Sequence, residues 1–289
     1  MIAALVREAR PKQWVKNVLV FAGPGALGVL DEIGPLGRAA TVFAAFCLVS
    51  SGVYFWNDIR DLEQDRTHPR KKFRPIAAGE IPLPVARVLG SVLTVGGPAL
   101  AWSVRPEAGV ILVLYAVIQV AYSVGLKHVP VLDLAIVSSG FVLRAMAGAI
   151  ATQTPMSNWF VLCITFGSFF IVAGKRFAEL LELGEGAVVT RRSLAEYSTV
   201  YLRQILVVSC TATAVTYCMW ALESAASIDE TVPLHGLTIV PMVLALLRYM
   251  LVLERGGGGA PEEVFFRDRS IQFYGVVWAV IYGLAVYAG

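Results

Sequence analysis

Charge is scarce in this chain. Only 16% of its 289 residues are Asp, Glu, Lys or Arg, against about 25% in a soluble domain. Histidine is scarcer still, with three, and none has a setting that suggests catalysis: His68 lies in a basic loop, His128 in a turn and His235 near a loop. The four cysteines, Cys47, Cys163, Cys210 and Cys218, all fall inside apolar runs without metal-type spacing. They read as small apolar side chains, which argues against a zinc site or a disulfide framework. No stretch has the short apolar core and small-residue cleavage pattern of a signal peptide. No nucleic-acid module is present, and the basic residues are not interleaved with exposed aromatics.

What fills the chain instead is apolar sequence, 57% of it. The runs "AATVFAAFCLVSSGVYFW", "GVILVLYAVIQVAYSVGL" and "SIQFYGVVWAVIYGLAVYAG" are each long enough to cross a hydrocarbon core of about 30 Å as a helix. The sequence predicts nine spans, at 15–30, 38–56, 83–104, 108–125, 132–152, 157–175, 200–222, 233–252 and 271–288, the first interrupted by "GPG" at 23–25. The fold class is therefore all-α integral membrane, a bundle of about nine transmembrane helices in a single domain, 1–289. "ERGGGGAPEE" at 254–263 reads as a flexible loop. A cytoplasmic N-terminus places 1–14, 57–82, 126–131, 176–199 and 253–270 on the cytoplasmic side. Nearly all the basic residues lie in these segments or at their helix ends, Arg191 and Arg192 among them, while the opposite loops hold "DE" at 31–32, "RPE" at 105–107 and "IDE" at 228–230. That bias is the positive-inside pattern, and it faces the charged segments toward the cytoplasm.

The densest charge lies in "FWNDIRDLEQDRTHPRKKFRPIAAG", residues 55–79, where four acidic groups fall within eight residues and a basic cluster follows. On a helix leaving the membrane, Asn57, Asp61 and Asp65 stand at i, i+4 and i+8 on one face, with Asp58 beside them. Carboxylates so arranged repel unless a cation sits between them. Oxygen-only donors suit Mg²⁺, with Mn²⁺ as the substitute, and Mg²⁺ fills much of its shell with water and substrate phosphate. The basic cluster then supplies counter-charge to phosphates. A solvated interfacial turn is the competing reading, and it accounts poorly for acids sharing one helical face.

A second charged helix end, "FIVAGKRFAELLELGEGAVVTRRSLAEYS", carries Lys175 and Arg176, with Glu179 four and three residues on. A Lys at the membrane edge is costly without a partner; either it pairs with Glu179 or it binds phosphate. Arg144 lies inside an apolar stretch and calls for an anionic partner. Asp133 is too far along the same helix, at about 16 Å, to be that partner. Tyr122 and Lys127 flank the preceding turn.

These residues resemble a known family. "NDIRDLEQD" resembles the NDxxDxxxD motif of the UbiA superfamily of intramembrane prenyltransferases, and "RKKFRPIAAGEI" is similar to the RxxxRP segment that follows it, through Arg70, Arg74 and Pro75. The family's second acidic motif, DxxxD, is missing: "GKRFAELLEL" stands in its place. With "RPKQWVKN" at 10–17 and "LKHVPVLDLAIVSSGFVLRAMAGA" at 126–149, that departure resembles the branch of decaprenyl-phosphate phosphoribosyltransferases of cell-wall arabinan synthesis. The resemblance implies transfer of 5-phosphoribose from phosphoribosyl pyrophosphate (PRPP) to a polyprenyl monophosphate. It implies Asn57, Asp58, Asp61 and Asp65 as Mg²⁺ ligands, the three aspartates being catalytic. Lys16, Arg70, Arg74, Tyr122, Lys127, Arg144, Lys175, Arg176 and Glu179 would bind substrates. Membrane lipids are further partners, and a homo-oligomer stays open. Prenyl transfer from a prenyl diphosphate is the alternative, and a membrane transporter a remote one.

Overall fold

The computed structural model describes residues 1–183, 194, 196–227 and 233–287. Arg191, Arg192 and the acidic pair at 229–230, used above for orientation, lie outside the described residues. Among the described residues there is no strand. The helices are α1 (Ile2–Ala9), α2 (Ala22–Ala26), α3 (Ile33–Arg60), α4 (Leu62–Thr67), α5 (Leu83–Val104), α6 (Pro106–Val124), α7 (Leu132–Thr152), α8 (Asn158–Leu183), α9 (Thr199–Ser227), α10 (Leu234–Leu237), α11 (Ile239–Glu254), α12 (Pro261–Arg267) and α13 (Arg269–Tyr287).

Among the described residues, eight spans are long and apolar enough to cross a membrane: α3, α5, α6, α7, α8, α9, α10 with α11, and α13. The expected first span, 15–30, is not one of them. Pro11–Phe21 is a 3₁₀ helix of 11 residues, and α2 and a 3₁₀ turn at Val29–Asp31 continue it. Gly23, Pro24, Gly25 and Gly28 weaken a regular helix here, and Gly28 takes a positive φ of 69°, which a side chain would disfavour. The segment nonetheless runs antiparallel along α3, as successive contacts show: Trp14 to Ser51, Asn17 to Cys47, Phe21 to Phe43. Irregular backbone at membrane depth is tolerated where protein buries it. Here Val20 is fully buried and its carbonyl lies where a Cβ on Gly148 would stand.

The chain forms two compact units, Met1–Val124 with Leu143–Pro155, and Gly125–Val142 with Met156–Gly289; α7 runs through the division at 142–143. In the first unit α3 packs on α5 through small residues: a Cβ on Gly97 would lie 2.6 Å from the Ala45 carbonyl oxygen. Lipid tails are as apolar as leucine, so close backbone approach is what holds such helices together. Phe46, Val42, Val49, Leu112 and Tyr115 complete that core. In the second unit α8 lies along α9, and Phe170, Phe177, Leu202, Leu206, Tyr249 and Leu253 form the core. Outward stripes such as Val88, Val92 and Val95 on α5 and Phe273, Val276 and Val280 on α13 are exposed. At helical spacing, exposed apolar stripes of this kind are surfaces for lipid.

Candidate active site

In the first unit, α3 stops at Arg60 and α4 begins at Leu62, yet the helical register survives the break. The Asp61 amide donates to the Asn57 carbonyl at 2.9 Å and the Asp65 amide to the Asp61 carbonyl at 2.8 Å. The i, i+4, i+8 ladder expected for Asn57, Asp61 and Asp65 is therefore continuous in the backbone. The Ser123 hydroxyl donates to Oδ1 of Asn57, fixing the amide at the end of α6.

Two arginines enter the acidic stripe. Arg74 Nη1 donates to Asp58 Oδ1 at 3.0 Å and to Asp65 Oδ2 at 2.7 Å, so one nitrogen bridges two carboxylates seven positions apart. Arg10 Nη2 reaches both oxygens of Asp58, at 2.7 and 2.5 Å. Its φ of 53° turns the chain between α1 and the 3₁₀ segment, and its guanidinium lies 4.5 Å from the Tyr54 ring centroid. Lys71 Nζ stands 4.0 Å from Asp65. Asp58 and Asp65 are both buried, whereas Asp61 is half-exposed. Glu8 on α1 is also buried, and as an anion neither of its oxygens would be hydrogen-bonded. Burial first, then the hydrogen bond to Asp58 and its charge, push the Glu8 carboxyl up to about 8. Burial beside the Asp58 carboxylate thus favours the protonated form of Glu8.

Among the described residues no three acidic, histidine or cysteine side chains converge as a ready-made metal cage. The donors that share a face are Asn57, Asp61 and Asp65, all oxygen, with Asp61 the one not gripped by Arg10 or Arg74 in the bonds above. This set fits Mg²⁺ as a substrate-borne ion, held by one or two carboxylates and completed by water and phosphate oxygens. Asp58, expected as a fourth ligand, is held by both Arg10 and Arg74, whereas Asp65 is held by Arg74 with Lys71 at 4.0 Å.

The second unit carries its own charged cluster. Asp133, fully buried at the start of α7, accepts from Arg176 Nε at 3.2 Å and from the Tyr197 hydroxyl at 2.6 Å. Arg176 Nη1 donates to Glu179 at 2.8 Å. Glu179 thus pairs with Arg176 rather than with Lys175, the pairing that i, i+4 spacing suggested. Lys175 is half-buried and has no ion-pair partner among the described residues. Lys127 lies in the 3₁₀ turn Leu126–His128 that precedes α7.

The remaining candidates spread more widely. Arg144 is buried in the first unit's core. It donates to Asn17 Oδ1 at 2.7 Å and to the Tyr115 hydroxyl at 3.0 Å, and lies 5.4 Å and 4.9 Å from the Phe46 and Tyr115 ring centroids. Its partners thus include an amide, a phenol and two ring faces. Lys16 donates to Gln13 at 2.6 Å, Tyr122 is half-buried and Arg70 exposed. His68 Nδ1 accepts the Arg70 and Lys71 amides and so holds the basic turn. Arg10, Glu8, Asn17 and Tyr197 were not read from the sequence as site residues. Arg10 and Asn17 carried a signal, as the two ends of the "RPKQWVKN" stretch at 10–17.

Residues 18–271 match the family model described as "UbiA prenyltransferase family". The chain belongs to the UbiA prenyltransferase family. A Mycobacterium tuberculosis relative named decaprenyl-phosphate phosphoribosyltransferase is 41% identical over 293 residues, covering 100% of this chain and 96% of its own length. A Corynebacterium glutamicum protein of the same name is 40% identical over 290 residues, covering 98% of this chain and 86% of its own. The solved structure of a UbiA homolog from Archaeoglobus fulgidus bound to GPP and Mg²⁺ superposes with a TM-score of 0.73 at 17% identity, over 99% of this chain and 100% of that one. That likeness establishes the UbiA fold for this chain and nothing finer.

Proposed function

We propose that this UbiA-family transferase moves the 5-phosphoribosyl group of PRPP to a polyprenyl monophosphate, decaprenyl phosphate in the first instance, releasing pyrophosphate. The observation that carries the reading is the exchange of the family's second acidic motif for Lys175 and Arg176, in a chain related end to end to enzymes of that name. Two bases at a helix end where the family carries an acidic motif suit a substrate pair rich in phosphate and with fewer bridging metals.

In this reading Asn57, Asp61 and Asp65 hold Mg²⁺, or Mn²⁺, against the donor's diphosphate. The ion, when bound, neutralises charge on the leaving diphosphate and aligns it. Asp58 orients Arg10 and Arg74, whose remaining N–H groups bind phosphate oxygens. Arg70 and Lys16 add positive charge around the same acidic stretch. In the second unit Lys175 and Lys127 bind phosphate, and Asp133 and Glu179 fix the direction of Arg176. The sugar C1–O bond to the diphosphate breaks and a C1–O bond to the lipid phosphate forms. The attacking phosphate is already an anion, so no proton must be removed and no histidine is required. The prenyl chain lies along apolar helix surface and arrives from the bilayer, at the cytoplasmic face of the plasma membrane.

Purified protein in detergent, given Mg²⁺ and ribose-labelled PRPP, tests this directly. Label should enter the lipid phase only when decaprenyl phosphate is present, and EDTA should abolish it. Prenyl transfer from a prenyl diphosphate, with no movement of ribose label, would replace this reading by the more usual chemistry of the family.

A further inference from the structure

One hydroxyl in the second unit holds two elements at once. Tyr197 accepts the Val131 amide at 2.5 Å and donates to Asp133 Oδ1 at 2.6 Å. Its ring is buried in the core formed with Leu134, Phe177 and Leu202, and it stacks on Tyr201 at 5.9 Å. Both of its partners belong to the junction between the Lys127 turn and α7.

That junction is strained. Val131 has a φ of 66°, a region that a β-branched residue enters only as an outlier. The Leu132 amide donates to the Pro130 carbonyl at 2.7 Å across it, so Val131 is the centre of a γ-turn of the rare, positive-φ kind. Such a conformation persists only where the surroundings over-determine it, and it concentrates at functional sites. Here the surroundings are identifiable. Tyr197 takes the amide of the strained residue, while Asp133 and Ala135 amides return to the Val129 and Val131 carbonyls at 3.0 Å each. Asp133 in turn carries Arg176, which carries Glu179.

We infer that Tyr197 is a positioning residue for the transfer reaction: its hydroxyl holds the Lys127 turn in the strained γ conformation and, through Asp133, sets the direction of the Arg176 guanidinium. This rests on the reading above that Lys127 and Arg176 belong to phosphate binding. Tyr197 touches neither substrate; it acts by fixing the spacing between two cationic groups on different elements. Valine at 131 stiffens the device, since it remains in the left-handed region only while the hydroxyl takes its amide.

The experiment compares Tyr197→Phe, Val131→Gly and the double variant, with Tyr201→Phe as control, all as full chains in detergent. Tyr197→Phe keeps the ring and its packing and removes only the hydroxyl. It should raise KM for PRPP or for decaprenyl phosphate about tenfold, the effect of one lost charge-positioning contact, while kcat changes much less. Val131→Gly removes the strain, because glycine occupies positive φ freely. Adding it to Tyr197→Phe should recover the part of the lost KM that the turn contributes, leaving the part carried through Asp133 to Arg176, and Tyr201→Phe should behave as wild type. A Tyr197→Phe enzyme with wild-type KM values, or one whose only change is a lower thermal midpoint, overturns the inference. So does a double variant no better than Tyr197→Phe alone. Absence of ribose transfer by the wild-type chain would instead remove the parent reading, which the first assay shows before any variant is measured.

Discussion

Arg10 grips both carboxylate oxygens of Asp58, at 2.7 and 2.5 Å, from a position 48 residues earlier in the chain. The contact ties the N-terminal segment to the end of α3, and Arg7 ties α1 to the loop before α5 by pairing with Glu80. A planar fork meets a carboxylate in a way that an ammonium cannot reproduce. Arg10→Lys should therefore lose most of the activity while staying folded, and Arg10→Ala should also lower the thermal midpoint. Breaking a charged hydrogen bond of this kind costs about 2 kcal/mol. Label transfer and a detergent melting curve on each variant check both halves, and an active Arg10→Lys enzyme would show that charge alone suffices.

The acidic stripe divides by burial, and its members should respond differently to substitution. Asp61 is half-exposed and shares a face with Asn57 and Asp65, whereas Asp58 is buried between two arginines. Asp61→Asn should raise the Mg²⁺ concentration needed for half-maximal rate and leave the melting curve unchanged. Asp58→Asn should lower the melting midpoint by weakening both arginine contacts, with little effect on the Mg²⁺ requirement. A magnesium titration of the two variants separates the roles. Equal Mg²⁺ dependence in both would return Asp58 to the metal shell.

The apolar spans were legible because their signal is local: about twenty apolar residues in a row have few alternatives. The ladder of Asn57, Asp61 and Asp65 was legible for the same reason, since helical spacing decides it. Arg74 was legible as a basic site residue, but its contact with Asp58 across 16 residues, and that of Arg10 across 48, were not. Local spacing also misled at α8. It offered Lys175 with Glu179, but burial turns Arg176 inward, where Asp133, 43 residues distant, competes for it. At 15–30 the glycines and Pro24 signalled an interruption, and the structure resolves it as a 3₁₀ segment that tertiary contacts hold against α3.

Arg144 offers a test of whether a buried charge serves stability or function. Its contacts with Asn17 and Tyr115 pin the 3₁₀ segment against α6 and α7. Substitution by methionine fills similar volume but leaves the Asn17 carbonyl oxygen and the Tyr115 hydroxyl unmet. Unsatisfied buried groups cost about 1–3 kcal/mol each, so Arg144→Met should lower the thermal midpoint by several degrees and activity should fall with it. If the midpoint rises instead while activity is lost, the charge is kept for substrate at the expense of stability.

Asp268 gives the clearest dependence on pH. Its Oδ1 accepts the Ser270 and Ile271 amides at 3.0 Å each, capping α13, and Arg248 approaches it through Nε and Nη2 at 2.8–3.2 Å. The Arg248 hydrogen bond first, then the capping amides and the charge of Arg248, hold its carboxyl below the usual 3.8 against the opposing effect of burial. In the unfolded chain the group returns to about 3.9. Between the two values the unfolded state binds more protons, so folding stability rises with pH there. The contribution is complete above about pH 5, on linkage grounds, and is lost as pH falls through the lowered native value. Asp268→Ala should remove about 1 kcal/mol of capping together with the pair at neutral pH. The gap between wild type and variant should then shrink below pH 4 as the wild-type carboxylate protonates. Melting curves of the two proteins from pH 3 to pH 8 read this directly, and a gap independent of pH would mean that the carboxylate's charge contributes nothing to holding α13.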